Sequence, residues 1–276
     1  MDRRRIPFYK MHGSGNDFVL IDHRAQFLPA AGQPHFVRRV CVPKVGVGAD
    51  GLILIENSEL ANFRWRFYNA DGSEAEMCGN GGRCAARFAV LNDIAPATLS
   101  FETLAGIIHA EVKDHRVKLQ MTGVGDLSLH QSIPVNGRSV TGHFVRVGVP
   151  HVAVQVDDLE QAPVTSLGRL IRFHELFQPA GTNVNFVRFA GPHDLEVRTY
   201  ERGVEDETLA CGTGAVATAL IAARLGRATS PVTVHTRGGE ALTIYFQAQG
   251  ETFGEVFLEG EALVVYQGEL WVDELK

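Results

Sequence analysis

The chain has 276 residues, 45% hydrophobic and 21% charged, with a net charge of −6. That length holds one large domain or two ordinary ones, each with a real core. The acidic balance argues against a general nucleic-acid binder, and no apolar run reaches the ~18 residues that suggest a membrane span.

Residues 2–5 (Asp-Arg-Arg-Arg) have the charge of an export-signal start, but Ile-Pro-Phe-Tyr-Lys-Met-His-Gly follows in place of an apolar stretch, so no export signal is expected. Strands are predicted over 18–22, 52–55, 63–68, 116–121, 152–156 and 242–246, which are β-branched or aromatic and often alternate. Gly, Pro, Asn or Asp punctuates most of the gaps. Two segments break the pattern. Gly79 to Leu91 and Gly212 to Leu225 turn Ala-rich after a glycine turn, and Gly226 is placed to cap the second. A helix apolar nearly all round is buried. Strands before and after each predict a sheet wrapped around it, an α+β fold.

The two helical segments resemble each other. Cys78-Gly-Asn-Gly precedes the first and Cys211-Gly-Thr-Gly the second, 133 residues apart (211 − 78) and close to half the chain. This points to a duplicated chain: residues 1–122 with 265–276 as the half carrying Cys78, and 123–264 as the half carrying Cys211.

Four cysteines in a chain this long do not make a disulfide framework, so reduced thiols in a cytoplasmic protein are expected. Cys41, between two valines, reads as core. Cys84 lies about 240° round the helix from Cys78 at ~100° per residue and reads as core too. Cys78 and Cys211 stand at predicted helix starts, where exposed N–H groups and the macrodipole favour a thiolate. A thiol of pKa ~8.5 is thereby expected to move toward physiological pH. The same N–H groups suit a carboxylate. A thiolate base and a thiol acid on opposite faces of an α-carbon would invert a stereocentre in either direction. The carbanion formed on the way needs dipoles in a water-excluded site.

Other motifs fail on context. Gly46-Val-Gly-Ala-Asp-Gly51 fits the dinucleotide fingerprint, but a strand follows where a helix is required. His174-Glu175 lacks the second histidine of a zinc helix, since 178 is Gln. No Cys/His cluster has metal spacing. The five lysines (10, 44, 113, 118, 276) lie outside the two cysteine motifs, which disfavours a Schiff-base cofactor. A cofactor-free mechanism is expected.

Four stretches resemble the diaminopimelate epimerase family: Lys-Met-His-Gly-Ser-Gly-Asn-Asp-Phe (10–18), Asn-Ala-Asp-Gly-Ser-Glu-Ala-Glu-Met-Cys-Gly-Asn-Gly-Gly-Arg-Cys (69–84), Gly-Thr-Asn-Val-Asn-Phe (181–186), and Tyr-Glu-Arg-Gly leading to Leu-Ala-Cys-Gly-Thr-Gly (200–214). The likeness spans nearly the whole chain. It implies two similar domains, each a barrel-like sheet around a central helix, and interconversion of LL- and meso-diaminopimelate without a cofactor. It further implies Cys78 and Cys211 as the acid/base thiols. Gly79, Asn80, Gly212 and Thr213 would offer helix-start donors to a carboxylate. Asn16, Asn69 and Asn183 would bind the amino and carboxylate groups. Arg202 would pair with the distal carboxylate, Glu201 would contact substrate and help set thiol protonation, and His151 would stand behind them. A homodimer is implied as well.

Three departures from the family pattern stand out. Val149 replaces an Asn common before Pro-His, Gly51 stands where some members have Gln, and the stretch from Glu201 to Cys211 is one residue longer than in many members. The last predicts a bulge in that turn with the cysteine still at the helix start. Two rival readings are a proline or hydroxyproline-type racemase and a redox-sensing dithiol binding protein.

Overall fold

The structure, a computed structural model, describes residues 5–271. Asp2 to Arg4 of the basic start, and Lys276, lie outside the described residues. The chain divides into two compact units, Met1–Leu119 with Gly260–Lys276 and Gln120–Glu259. The first crossing comes three residues before the expected one (119 against 122) and the second five before (259 against 264).

In the first unit β1 (Arg5–Gly13) and β2 (Asn16–Asp22) form an antiparallel hairpin. Helix α1 (Gln33–Cys41) leads to β3 (Gly51–Glu56), which lies parallel to β2 and antiparallel to β4 (Phe63–Asn69). Helix α2 (Gly79–Leu91) then leads to β5 (Thr98–Thr103), parallel to β4. β6 (Gly106–Lys113) and β7 (Arg116–Gln120) continue antiparallel. Parallel neighbours need a crossover, and each crossover here carries a helix.

The second unit repeats this order. β8 (Val124–Val135), β9 (Arg138–Val147) and β10 (Val149–Gln155) run antiparallel. Helix α3 (Val164–Arg172) crosses to β11 (Asn183–Gly191), parallel to β10 and antiparallel to β12 (Asp194–Glu201). A short β13 (Asp206–Thr208) and helix α4 (Gly212–Arg224) cross to β14 (Val232–His235), parallel to β12. β15 (Ala241–Gln249) and β16 (Thr252–Glu261) follow antiparallel. The chain then returns as β17 (Leu263–Trp271), antiparallel to β1. The duplication suggested by two cysteine motifs thus extends to strand order, strand direction and both crossovers.

Each unit has two cores. Around α2, Cys84, Ala85, Ala86, Phe88 and Ala89 pack with Met11, Phe18, Ile53, Trp65, Phe101 and Ile108. Around α4, Ala215 to Ala222 pack with Val145, Val197, Val234 and Ile244. The second core of each unit lies under an amphipathic helix absent from the sequence reading, which had two helices only. Helix α1 buries Phe36, Val37, Val40 and Cys41 against Val19, Leu52 and Leu54. Helix α3 buries Val164 and Ile171 against Val152, Val184 and Tyr200. Both are 9 residues long, shorter than the ~12–15 residues an isolated helix needs, so packing rather than propensity creates them. Helix α1 covers the outer face of β3, and α3 covers that of β11 and β12. That is why Leu52 to Ile55 form an unbroken buried run instead of alternating.

Both central helices end alike. In α4, Arg227 N–H donates to Ala222 O (2.8 Å) and Gly226 N–H to Ala223 O (3.0 Å), with Gly226 at φ +69°. In α2, Ile94 N–H donates to Ala89 O (2.8 Å) and Asp93 N–H to Val90 O (3.2 Å), with Asp93 at φ 54°. These are Schellman closures, and only the second helix uses glycine for the left-handed residue. Among the described residues no helix is long and apolar enough to cross a membrane.

Candidate active site

Each cysteine motif forms the N-cap of a central helix. Cys78 has extended backbone (φ −146°, ψ 117°), and its carbonyl accepts the first helical bond from Gly82 N–H at 2.8 Å. Cys211 does the same (φ −124°, ψ 108°), with Ala215 N–H at 2.9 Å from its carbonyl. Cys78 Sγ stands where a capping oxygen would and accepts from Gly81 N–H at 3.5 Å. Cys211 Sγ lies 3.6 Å from Thr213 Oγ1 instead.

The glycines have distinct duties. A β-carbon on Gly79 would meet nothing within 4 Å, so the first N–H groups of α2 stay approachable. On Gly214 it would lie 2.4 Å from Asn185 Oδ1 and 3.2 Å from Cys211 Sγ, so only glycine lets β11 approach this helix start. On Gly81 it would press on Ile53, Trp65 and Phe18, a packing constraint.

In the first unit, Ser14 and Gly15 (φ 57° and 79°) make the two-residue turn between β1 and β2. Positive φ at both positions is the requirement of a type I′ hairpin. The turn sets Asn16 beside the helix start, with Oδ1 3.6 Å from Cys78 Sγ and 3.4 Å from Asn80 Nδ2. Asn16 Nδ2 donates to Asp50 Oδ2 at 2.6 Å. Arg83 is fully buried in α2, donating to Ser14 Oγ (2.8 Å) and Glu261 O (3.2 Å). Gly13 makes room for it, since a β-carbon there would sit 3.0 Å from the guanidinium. Asn69 is tied into its own turn, donating to Ser73 Oγ at 3.0 Å. At Gly51, a β-carbon would lie 2.6 Å from both the Phe67 ring and Tyr68 O, so no larger side chain fits this packing.

In the second unit, β10 and β11 align His151 with Asn183 and Ala153 with Asn185. Asn183 Oδ1 accepts from Arg202 N–H (2.8 Å) and its Nδ2 donates to Pro150 O (3.2 Å). Asn185 donates to Val152 O (3.3 Å) and accepts from Thr199 Oγ1 (2.9 Å), which fixes its amide and leaves its nitrogen 3.3 Å from His151 Nδ1. His151 Nδ1 is therefore the acceptor and the ring proton sits on Nε2. That Nε2 is buried without a hydrogen-bond partner. Glu201 Oε2 accepts from Thr208 Oγ1 (2.8 Å), and Arg202 Nη1 donates to Ala180 O (3.0 Å). The bulge expected between Glu201 and Cys211 is absent from the ladder. β12 and β13 pair in register from Thr199↔Thr208 to Glu201↔Asp206. In the loop 202–205 between them, Gly203 and Glu205 take positive φ.

The electrostatics reverse one expectation. Neither thiol is made more acidic by its helix start. Burial pushes the Cys78 thiol above its ordinary value, against opposing backbone donors at Gly81 and Asn80 and the charge of Arg83. Burial and the Glu201 carboxylate push Cys211 up to about 12. Desolvation of a charged sulfur outweighs a few partial charges. Burial also raises Glu201 above the usual carboxylate range. His151 falls to about 3 through burial and the Arg202 charge, so it is neutral. Asp50, Arg83, Asn185 and Thr208 were not singled out in the sequence. Asp50, Arg83 and Asn185 lie within the stretches 46–51, 69–84 and 181–186, and for the first two the available signal is a charged residue followed by an apolar strand or helix.

The family model described as diaminopimelate epimerase matches residues 8–126 and 143–265. The chain is 51% identical to the diaminopimelate epimerase of Aquifex aeolicus, over 96% of this chain and 98% of that protein. It is 44% identical to that of Archaeoglobus fulgidus, over 99% of each. Among solved structures it resembles a phenazine biosynthesis protein of the PhzF family from Bacillus anthracis (TM-score 0.72, 15% identity, 97% and 99% covered). It also resembles a hydroxyproline epimerase from Agrobacterium vitis (TM-score 0.70, 16% identity, 97% and 91% covered). At such identities these structures share the fold.

Proposed function

Because the chain belongs to the diaminopimelate epimerase family, and is thus an isomerase of the epimerase type, we propose that it interconverts LL- and meso-2,6-diaminopimelate through Cys78 and Cys211. The observation that carries this reading is the repetition: each unit places one cysteine at the N-cap of its second crossover helix. Two acid/base groups are what inversion at carbon demands. One sulfur takes the α-proton from one face as a thiolate, and the other delivers a proton to the opposite face as a thiol. A single base would tend to return the proton to the side it left.

The remaining assignments are those the family resemblance implies, and the donors and acceptors of the site support them. Helix-start N–H groups at Gly79, Asn80, Gly212 and Thr213 bind the carboxylate next to the reacting carbon, stabilising the negative charge that grows there. Asn16 offers its amide oxygen to the ammonium. His151 is a neutral donor through Nε2, and Glu201 keeps Cys211 protonated until it is needed. Arg202 takes the distal carboxylate, where a guanidinium fork fits. Asn183 holds the Arg202 backbone and keeps one amide N–H for substrate, while Asn69 contributes through its turn. Val149 leaves that stretch of β10 without a side-chain hydrogen bond to the substrate. The reaction uses no cofactor. The protein works in the cytoplasm, as a homodimer, and supplies precursor for lysine and peptidoglycan synthesis.

Incubation with LL-diaminopimelate, and separately with L-proline, in deuterated water tests this. Deuterium at the α-carbon of diaminopimelate with formation of the meso isomer is expected. Exchange into proline alone points to the racemase reading. No exchange into either, together with a reversible disulfide transition, points to the dithiol sensor.

A further inference from the structure

The hydrogen bonds around Cys78 have a fixed sense. Asp50 Oδ2 accepts from Asn16 Nδ2 (2.6 Å) and from Asp17 N–H (3.1 Å). Asp17 Oδ1 accepts in return from Asp50 N–H (2.9 Å), and Asp17 Oδ2 pairs with the buried Lys10 ammonium at 2.7 Å. A carboxylate oxygen only accepts, so the nitrogen end of the Asn16 amide must face Asp50. The oxygen end is then turned to Cys78 Sγ and Asn80 Nδ2. An amide oxygen in that place accepts from a thiol and repels a thiolate. With the opposite orientation the amide would donate to sulfur and favour the thiolate.

Building on the epimerase reading, we propose that Asp50 is a positioning residue. It fixes the Asn16 amide so that its oxygen holds the Cys78 proton in the free protein and surrenders it when a substrate ammonium claims that oxygen. On binding, an ammonium N–H replaces the S–H as donor to Asn16 Oδ1, the thiol proton leaves to water, and the sulfur is left as thiolate beside a positive charge. The charged groups around this sulfur act in keeping. Arg83 on α2 favours the thiolate, and Asp50 opposes it. Lys10 and Asp17, on β1 and β2, neutralise each other. The base is thereby made when substrate is present and stays protected from alkylation and oxidation otherwise.

The test is the pH profile of Cys78 alkylation by iodoacetamide, read on its own peptide by mass spectrometry in the intact protein without substrate. Asp50→Ala frees the Asn16 amide to turn. The profile is expected to move about one pH unit lower, with about tenfold faster alkylation below the midpoint. Asp50→Asn, whose amide oxygen can accept the same bonds, is expected to stay close to the parent profile. In an Asn16→Ala background, Asp50→Ala is expected to leave only a small residual shift from its charge, well short of the full unit. An unshifted profile for Asp50→Ala overturns the proposal. So does an equal shift in Asp50→Asn, or a shift of full size that persists without Asn16, since Asp50 would then act through charge alone. Should Asp50→Ala lack a cooperative melt, Asp50→Ser, too short to reach Asn16, is read in its place. None of this needs turnover. A parent protein that leaves diaminopimelate untouched removes the epimerase reading, while the profiles still decide what Asp50 does to Cys78.

Discussion

Asn183 Oδ1 accepts a 2.8 Å hydrogen bond from the backbone N–H of Arg202, 19 residues along the chain. With Asn183 Nδ2 donating to Pro150 O, a buried amide ties the Glu201–Arg202 corner to β10, next to His151. Asn183→Ala leaves that N–H and that carbonyl unpaired, at a cost of roughly 1–3 kcal/mol. We expect a lower melting temperature, a raised KM for diaminopimelate as Arg202 loses its seat, and a smaller fall in kcat. Steady-state kinetics with thermal melts check this. An unchanged KM would separate the corner from substrate binding.

The glycines of the two motifs predict opposite phenotypes. A β-carbon at Gly79 meets open space, whereas one at Gly214 collides with Asn185 Oδ1. Gly79→Ala is expected to fold with an unchanged melting temperature but to bind substrate poorly, since the methyl stands in the carboxylate's path. Gly214→Ala is expected to lose about 1–3 kcal/mol through forced displacement of a buried, hydrogen-bonded side chain. Parallel melts and ligand titrations distinguish the two. Equal destabilisation in both would contradict the assigned roles.

These contrasts mark what was legible in the sequence. The repeated Cys-Gly-x-Gly before an Ala-rich run gave both central helices and both N-cap cysteines. The departure at Gly51 was visible, but not that the Phe67 ring fills the space. Helices α1 and α3 were missed because nine residues with four or fewer core positions carry too little periodicity to stand out. The pKa direction was misjudged for a similar reason. A motif shows the local donors that favour a thiolate, while burial, which outweighs them at Cys78 and Cys211, depends on strands far along the chain.

His151 makes a pH prediction. Its folded pKa lies near 3, below the ~6.5 of an unfolded histidine. Below about 6.5 the unfolded chain binds a proton that the folded protein refuses, so stability falls as pH drops from about 6.5 toward 3. Above that window His151 contributes no slope. Chemical denaturation of the parent and of His151→Gln at pH 7 and pH 4.5 tests this. The parent is expected to lose more stability between the two values than the variant. Equal losses would mean that His151 is protonated in the fold.

The two-sulfur chemistry is the central claim, and one measurement meets it most directly. Epimerisation of LL-diaminopimelate in deuterated water is followed for the parent, Cys78→Ser and Cys211→Ser, each shown by its melt to be folded. Loss of a positioned acid or base is worth roughly 10²–10⁴-fold. Each single variant is therefore expected to lose at least about a hundredfold in forming the inverted, α-deuterated product. Either variant turning over at the parent's rate would contradict a mechanism that needs both sulfurs.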